Sequence, residues 1–365
     1  MAPSAAYIDS LLAAVWDKGG TDLLFTAGSP PLMRVDGALC RVVGAKVLEA
    51  NDLDRLIGAV LGKDMVEGFR RSKQLDFAFT WANKARVRGN AFHQKGTSAL
   101  SLRIIPFVIP TMTELGLPPV VQEWTRLPKG FVLITGPTGS GKSTTLASMI
   151  DHINNHRAVH VITIEDPVEY VHHHKRSAVN QREVGTDTDS FADALRAALR
   201  EDPDVVLVGE MRDPESIQAA LTIAETGHLV FATLHTNDTA QTLDRIVDVF
   251  PAVQQPQVRL QLTHTLVGIV NQALIPRVGG GRVAAFEVLV ATPAIKNLIR
   301  EGKTRQIRNL VATGQRGGMY TLEAALSELV AGGQVAYDEA VLWTMHPDEV
   351  KRPAPPLESL RAATS

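Results

Sequence analysis

The sequence predicts an α/β protein: a mostly parallel sheet covered by helices, preceded by a smaller α+β domain. Three observations carry this. From Gly130 onward, short apolar segments at Phe131–Thr135, His160–Ile164, Val205–Val208 and Leu229–Leu234 alternate with amphipathic stretches of helical period. That alternation is the pattern of a parallel sheet with helices on its faces. Upstream the texture differs, with short turn-punctuated β segments that include a meander over Leu75–Trp81, Ala85–Phe92 and Ala99–Ile105. Between the two regions, Pro106, Pro110, Pro118 and Pro119 fall at a density that neither a helix nor a central strand tolerates, which places a linker at 106–119.

Taken in chain order, residues 5–18 read as a helix because Ile8, Leu11, Leu12, Val15 and Trp16 share one face. Asp22–Thr26 and Leu32–Val35 read as strands ahead of the meander. Lys142–His156 reads as a helix inside the sheet region. Beyond about 290 the pattern is helical, over 293–301, 304–313, 321–331 and 337–346. Pro347–Ser365 is Pro-rich and reads as a loose tail. The expected organisation is therefore 1–105, the linker 106–119, a sheet domain at 120–290, a helical region at 291–346 and a tail at 347–365. No internal repeat of fixed period is present.

Composition narrows the function classes. The 365 residues suffice for two ordinary domains, and 45% apolar with 21% charged residues is the balance of a soluble globular chain. A formal net charge of −2 argues against a surface built wholly for nucleic acid. Cys40 is the only cysteine, so an internal disulfide and a four-cysteine zinc site are excluded. No stretch reaches the roughly 18 apolar residues of a membrane helix. The first residues lack the basic start and apolar core of a signal peptide. The expectation is a cytoplasmic protein whose membrane contact, if any, runs through a partner.

Gly136-Pro137-Thr138-Gly139-Ser140-Gly141-Lys142-Ser143 fits G-x-x-x-x-G-K-[ST] in full, follows an apolar strand and opens a helix. Glycines at this spacing let backbone N–H groups turn inward around phosphate oxygens, and the helix N-terminus adds its positive dipole end. Lys142 is expected to reach the β- and γ-phosphates of ATP, and the Ser143 hydroxyl to ligate Mg²⁺. In an open α/β sheet ligands bind beyond the carboxyl ends of the strands. Reading the strand ends together brings Glu165 and Asp166, Glu210 and His235 toward the same edge as the loop. Acids in such positions hold Mg²⁺ or orient an attacking water. His228 and His235 bracket one strand and lie roughly 23 Å apart, so both cannot touch one phosphate within a subunit. His235 is the candidate γ-phosphate sensor, and His228 is structural or sits at a subunit contact. Adjacent residues rarely converge on one ion, so His172-His173-His174 reads as a polar loop.

Five segments, in this order, resemble the type IV pilus retraction ATPases (PilT type) of the type II/IV secretion ATPase superfamily. They are ITGPTGSGKSTT, ITIEDPVEYVHHHKRSAVNQREVG, ALREDPDVVLVGEMRD, ETGHLVFATLHTND with DRIVDVFP, and TPAIKNLIREGK. The likeness covers about residues 5–345. It implies a RecA-like P-loop core, a PAS-like N-terminal domain, hexameric rings and ATP with Mg²⁺ as cofactors. It also implies Glu165 as the base, Glu210 as the Walker B acid, His228 and His235 as the His-box pair, and Thr144 beside the loop. Arg86 and Arg88 lie two apart and share a strand face, and Arg103 sits on the next strand. With the resemblance, they are expected to reach a γ-phosphate across a subunit contact. Gly89 departs from the β-branched residue usual there, and Lys296 replaces an Arg or another residue.

The function expected is a hexameric motor that retracts pili through an inner-membrane platform protein, at the inner face of the cytoplasmic membrane, with other pilus ATPases as further partners. An assembly or secretion ATPase of the same superfamily is the near alternative, but many of those carry a four-cysteine zinc element and a longer N-terminal region. A nucleic-acid translocase would want a basic, aromatic-rich surface. Only 5% of residues are aromatic, and no nucleic acid is expected. A catalytically idle scaffold is argued against by Lys142, Glu165 and Glu210.

Overall fold

The computed structural model describes residues 4–353, and the expected tail beyond Pro353 lies outside them. The chain falls into two compact units that divide between Val108 and Ile109.

The first unit holds α1 (Ala5–Asp17), β1 (Asp22–Phe25), β2 (Leu32–Val35), β3 (Ala38–Arg41), α2 (Ala50–Val60), α3 (Lys63–Ser72), β4 (Gln74–Trp81), β5 (Ala85–Gln94) and β6 (Thr97–Pro106). Its strands form one antiparallel sheet in the order β3-β2-β1-β6-β5-β4. Strict alternation along β5 sends Ala85, Val87 and Ala91 into the core and leaves Arg86, Arg88 and Asn90 half-buried on the other face. The helices cover the apolar face, with Leu11, Leu12, Val15, Leu53 and Leu56 packed against Leu23, Phe25, Val87 and Leu102. Gly89 has a packing reason: a Cβ there would lie 2.1 Å from the ring of Phe77, its cross-strand neighbour on β4.

The second unit begins with α4 (Pro119–Trp124), and no helix or strand forms between Pro106 and Pro119. It continues with β7 (Gly130–Thr135), α5 (Lys142–His156), β8 (His160–Glu165), β9 (Ala178–Glu183), α6 (Phe191–Ala198), β10 (Val205–Val208), α7 (Pro214–Glu225) and β11 (Leu229–Leu234). Then come α8 (Thr239–Asp248), α9 (Gln255–Thr265), β12 (Leu266–Pro276) and β13 (Arg282–Val290), followed by α10 (Pro293–Arg300), α11 (Ile307–Thr313), α12 (Leu322–Ala331) and α13 (Tyr337–Ala340). The sheet order is β13-β12-β7-β11-β10-β8-β9. All pairings are parallel except β12 with β13.

Central strands of this sheet are buried on both faces, so they read as continuous apolar runs. Phe131 and Leu133 of β7 face α7, α8 and α9, while Val132 and Ile134 face α4 and α5. The four strands expected from the sequence fall short of the seven observed. β9 is an edge strand whose Asn180, Gln181 and Arg182 break the apolar signal. β12 and β13 form a long hairpin that extends the sheet beyond β7. The helix expected over 337–346 is also corrected. It is one α turn and a 3-10 turn, Val341–Trp343, after which Thr344 is extended and its hydroxyl donates to Glu323 on α12. That side-chain bond draws the chain out of the helical path. Among the described residues, no helix is long and apolar enough to cross a membrane.

Candidate functional site

The loop between β7 and α5 turns on glycines. Gly136, Gly139 and Gly141 have φ of +138°, +81° and +89°, conformations that a Cβ disfavours. Gly136 is constrained twice over, because a Cβ there would lie 2.2 Å from the carbonyl oxygen of Gln272 on β12. Pro137, Thr138 and Ser140 complete the turn, and α5 begins at Lys142 with Ser143 and Thr144 in its first turn. The Ser140 hydroxyl is buried and has no hydrogen-bond partner among the described residues. Thr144 Oγ1 lies 3.0 Å from the hydroxyl of Tyr170, in the segment after β8.

Lys142 runs back along the loop. Its Nζ donates to the carbonyls of Gly136 and Pro137 at 2.8 and 3.0 Å and lies 3.4 Å from His235 Nδ1. His235 follows β11 directly, and its Nε2 is 3.2 Å from Glu210 Oε1 at the end of β10. An ammonium only donates and a carboxylate only accepts, so the imidazole between them carries its proton on Nε2. Arg212 grips Glu210 with two bonds, Nε to Oε1 at 2.6 Å and Nη2 to Oε2 at 2.7 Å. A line of four polar groups therefore joins the phosphate loop to two strand ends.

Environment separates these groups. Burial lowers the Lys142 ammonium below its ordinary value, against the opposing pull of Glu210 and Glu169. Burial acts to raise the Glu210 carboxyl, but Arg212 and His235 outweigh it and hold the group below the usual range. Glu165, at the end of β8, moves the other way. Burial raises its carboxyl, although Thr163 and Gln181 donate to Oε1 at 2.7 and 3.1 Å and partly offset this. Two carboxyls at neighbouring strand ends are thus pushed apart, as acid/base pairs in active sites often are.

The structure brings together the loop residues Gly136 to Thr144, Glu210 and His235, with Glu165 at the adjacent strand end. It places His228 at the opposite end of β11. There Nδ1 lies 2.9 Å from the Ile223 carbonyl and 3.1 Å from Thr226 Oγ1, tying the last turn of α7. Of the three histidines after β8, His172 is buried and pushed down to about 4, chiefly by that burial. In the first unit, Arg88 and Arg103 are directly opposed across β5 and β6, and Arg103 donates to Asp22 at 2.7 Å. Arg86 shares their face two residues away on β5.

Two site residues escape the sequence reading. Gln272 is buried on β12; its Nε2 donates to the Ser140 carbonyl at 2.7 Å, and its Oε1 accepts from Thr145 Oγ1 at 2.8 Å. Neighbouring Asn271 donates to Thr135 Oγ1 at 3.0 Å and to the Thr236 carbonyl at 2.8 Å. Together they tie the loop, its strand and the turn after His235 to one neighbouring strand. Their signal was two adjacent polar residues inside the apolar run LVGIVNQALI, since buried polar groups are hydrogen-bonded.

A phosphate-binding loop on an open parallel sheet, with carboxylates and a histidine at the adjacent strand ends, defines a P-loop nucleotide-binding protein. The family model described as type II/IV secretion system protein matches residues 33–341. The chain belongs to that family. It is 49% identical over 333 residues to the type IV pilus retraction ATPase PilT of Pseudomonas aeruginosa, covering 91% of this chain and 96% of that protein. It is 47% identical over 311 residues to a twitching motility protein of Neisseria gonorrhoeae, covering 85% and 83%. A crystal structure of the pilus retraction motor PilT with bound ADP superposes with a TM-score of 0.83 at 46% identity, covering 94% of this chain and 98% of the other.

Proposed function

We propose that this chain is an ATP-hydrolysing motor that powers type IV pilus retraction as a hexameric ring. In this reading it works at the inner face of the cytoplasmic membrane and depolymerises pilin through a membrane platform protein. The observation that carries the ATPase reading is the line Lys142–His235–Glu210, which links the phosphate loop to the acid at the end of β10. Lys142 meets the β- and γ-phosphates, His235 reports the γ-phosphate to Glu210, and Glu165 serves as the base toward the attacking water. The raised Glu165 carboxyl suits that task, because a base works best when its pKa lies nearer the operating pH.

The residues present fit Mg²⁺ held together with nucleotide. Among the described residues no group of three metal-ligating side chains converges, and Mg²⁺ commonly takes only one or two protein oxygens beside phosphates and water. Ser143 and Glu210 would hold it, and when bound it would neutralise charge on the phosphates. Arg86, Arg88 and Arg103 serve the nucleotide of a neighbouring subunit, while His228 acts at a distance from the chemistry.

The test is turnover of purified chain against Lys142→Ala and Glu210→Gln. Lys142→Ala is expected to lose hydrolysis with its fold intact. Glu210→Gln is expected to bind ATP yet hydrolyse it at least about 10²-fold more slowly. Normal turnover in both variants would refute the assignment.

A further inference from the structure

The second unit contains a cavity of about 380 Å³ that the proposed function leaves unused. It opens between Pro137, the turn at Asn237 and Asp238, the β12–β13 hairpin, α11, α12 and the segment Leu342–His346. That volume suits a small organic group and is far larger than a bare ion needs. Its floor is Glu287 of β13, which is 5% exposed. Glu287 Oε1 accepts from the Thr239 hydroxyl at 2.5 Å and from the Thr239 amide at 3.4 Å. Among the described residues no donor reaches Oε2.

The charges around Glu287 do not balance it. Asp238, just ahead of α8, and Glu323 on α12 both act on it with like sign, and among the described residues no cation pairs with Glu287 itself. Arg308 on α11, a base of the lining, is committed to Glu323 at 3.2 Å and to Glu349 at 2.6 Å. Arg305 and His346 are the remaining ionisable residues of the lining, and both are exposed to solvent. Burying a carboxylate without a counter-charge is expensive, so the site lacks a positive group. The rest of the wall mixes the polar Asn237, Asn271 and Thr344 with apolar and aromatic side chains, among them Leu322 and Trp343.

We propose that this cavity binds an organic cation, a protonated amine or a guanidinium, with Glu287 as its counter-ion and Trp343 against its apolar body. A metal ion is not the occupant the residues favour, because no three ligating side chains converge among the described residues. Burial, first of all, pushes the empty carboxyl up to about 7. Binding a cation ionises it, so binding near pH 7 releases protons, and affinity falls as pH drops through that value.

The cavity also abuts the nucleotide site through one buried polar layer. Thr239, bound to Glu287, opens α8, and Thr242 on the same helix contacts Thr236 at 2.6 Å and Thr135 at 3.5 Å. Thr135 precedes the phosphate loop and Thr236 follows His235. Asn271, which pairs with Glu287 across β12 and β13, bonds to both. An occupant therefore has a short route to the loop and to His235.

The test is calorimetric titration of the full chain at pH 7 with butylguanidinium, and with butylurea as its neutral twin. Two buffers of different protonation enthalpy read the protons released. The expected result is saturable butylguanidinium binding with proton release, and binding of butylurea at least about tenfold weaker, the scale of a lost charged hydrogen bond. Glu287→Gln keeps the acceptor for Thr239 and is expected to remove the preference, while ADP binding reports an intact phosphate loop. Should that variant not fold, Trp343→Ala tests the opposite wall and is expected to weaken binding several-fold, the scale of lost apolar burial. Sedimentation with the probe separates the two sources of such a group. Smaller species on adding butylguanidinium identify a Lys or Arg side chain of a second copy, and unchanged assembly identifies a free molecule. Equal binding of both probes, binding of neither, or indifference to Glu287→Gln overturns the proposal.

Discussion

Gln272→Leu is the sharpest test of how the loop is held. Leucine keeps the volume of the buried side chain but removes both hydrogen bonds, to the Ser140 carbonyl at 2.7 Å and from Thr145 Oγ1 at 2.8 Å. Ser140 and Thr145 are 2% and 1% exposed, so water cannot replace the lost partner. Each buried group left unsatisfied costs about 1–3 kcal/mol. The Thr145 hydroxyl recovers part of this by turning to the carbonyl one helical turn back. The expected loss of stability is therefore about 2–4 kcal/mol, read as a lower denaturation midpoint with an unchanged slope. The loop also loses the strut that fixes Ser140, and a displacement near 1 Å at a reacting group costs about 10²-fold in rate. Steady-state ATP turnover, measured where the variant remains folded, checks this. Turnover within twofold of wild type, with unchanged ADP affinity, would show that the glycine conformations alone hold the loop and would refute the argument.

If Glu165 is the base, as proposed, it should set the acid limb of the rate profile. Burial raises its carboxyl, and the base must be ionised, so turnover should fall on acidification above the range where an ordinary glutamate titrates. Gln181→Leu removes a bond that favours the charged form and should move the limb higher still; a limb that stays put contradicts the role. Glu287 gives a stability signature. Its carboxyl is raised from 4.5 to about 7, so the folded state binds more protons across that window. Stability should fall as pH rises through it, by up to ~3 kcal/mol, and Glu287→Gln should flatten the limb in chemical denaturation. Arg86→Ala and Lys142→Ala subunits, each inactive alone, should regain ATPase activity when mixed into one ring. Proven mixed rings without activity would make Arg86 a residue of its own strand only.

What the sequence disclosed and what it concealed have physical causes. The phosphate loop is a local device, with glycines, lysine and helix start contiguous, so its pattern was complete before any fold was known. The strand-end residues were legible because an apolar run followed by Glu165, Glu210 or His235 places each at one edge of a parallel sheet. Gln272 was not, because it comes 130 residues after Lys142 by number and only the pairing of β12 with β7 brings it to the loop. Glu287 was hidden in the same way, one polar residue inside AAFEVLV whose partner Thr239 lies on another element. Edge strand β9 carries too many polar residues to register as a strand. The helix expected over 337–346 failed because a Thr344 bond to Glu323, invisible in the local pattern, competes with the helix.

Hydrolysis at this site, as proposed, drives pilus retraction. Single pili can be followed under load in cells that lack this chain and are complemented with the wild type or with Lys142→Ala. Wild type is predicted to restore shortening under force, while the variant, present at equal level, should leave pili extended. Retraction of equal speed and force in the Lys142→Ala cells would show that hydrolysis at this site does not drive retraction.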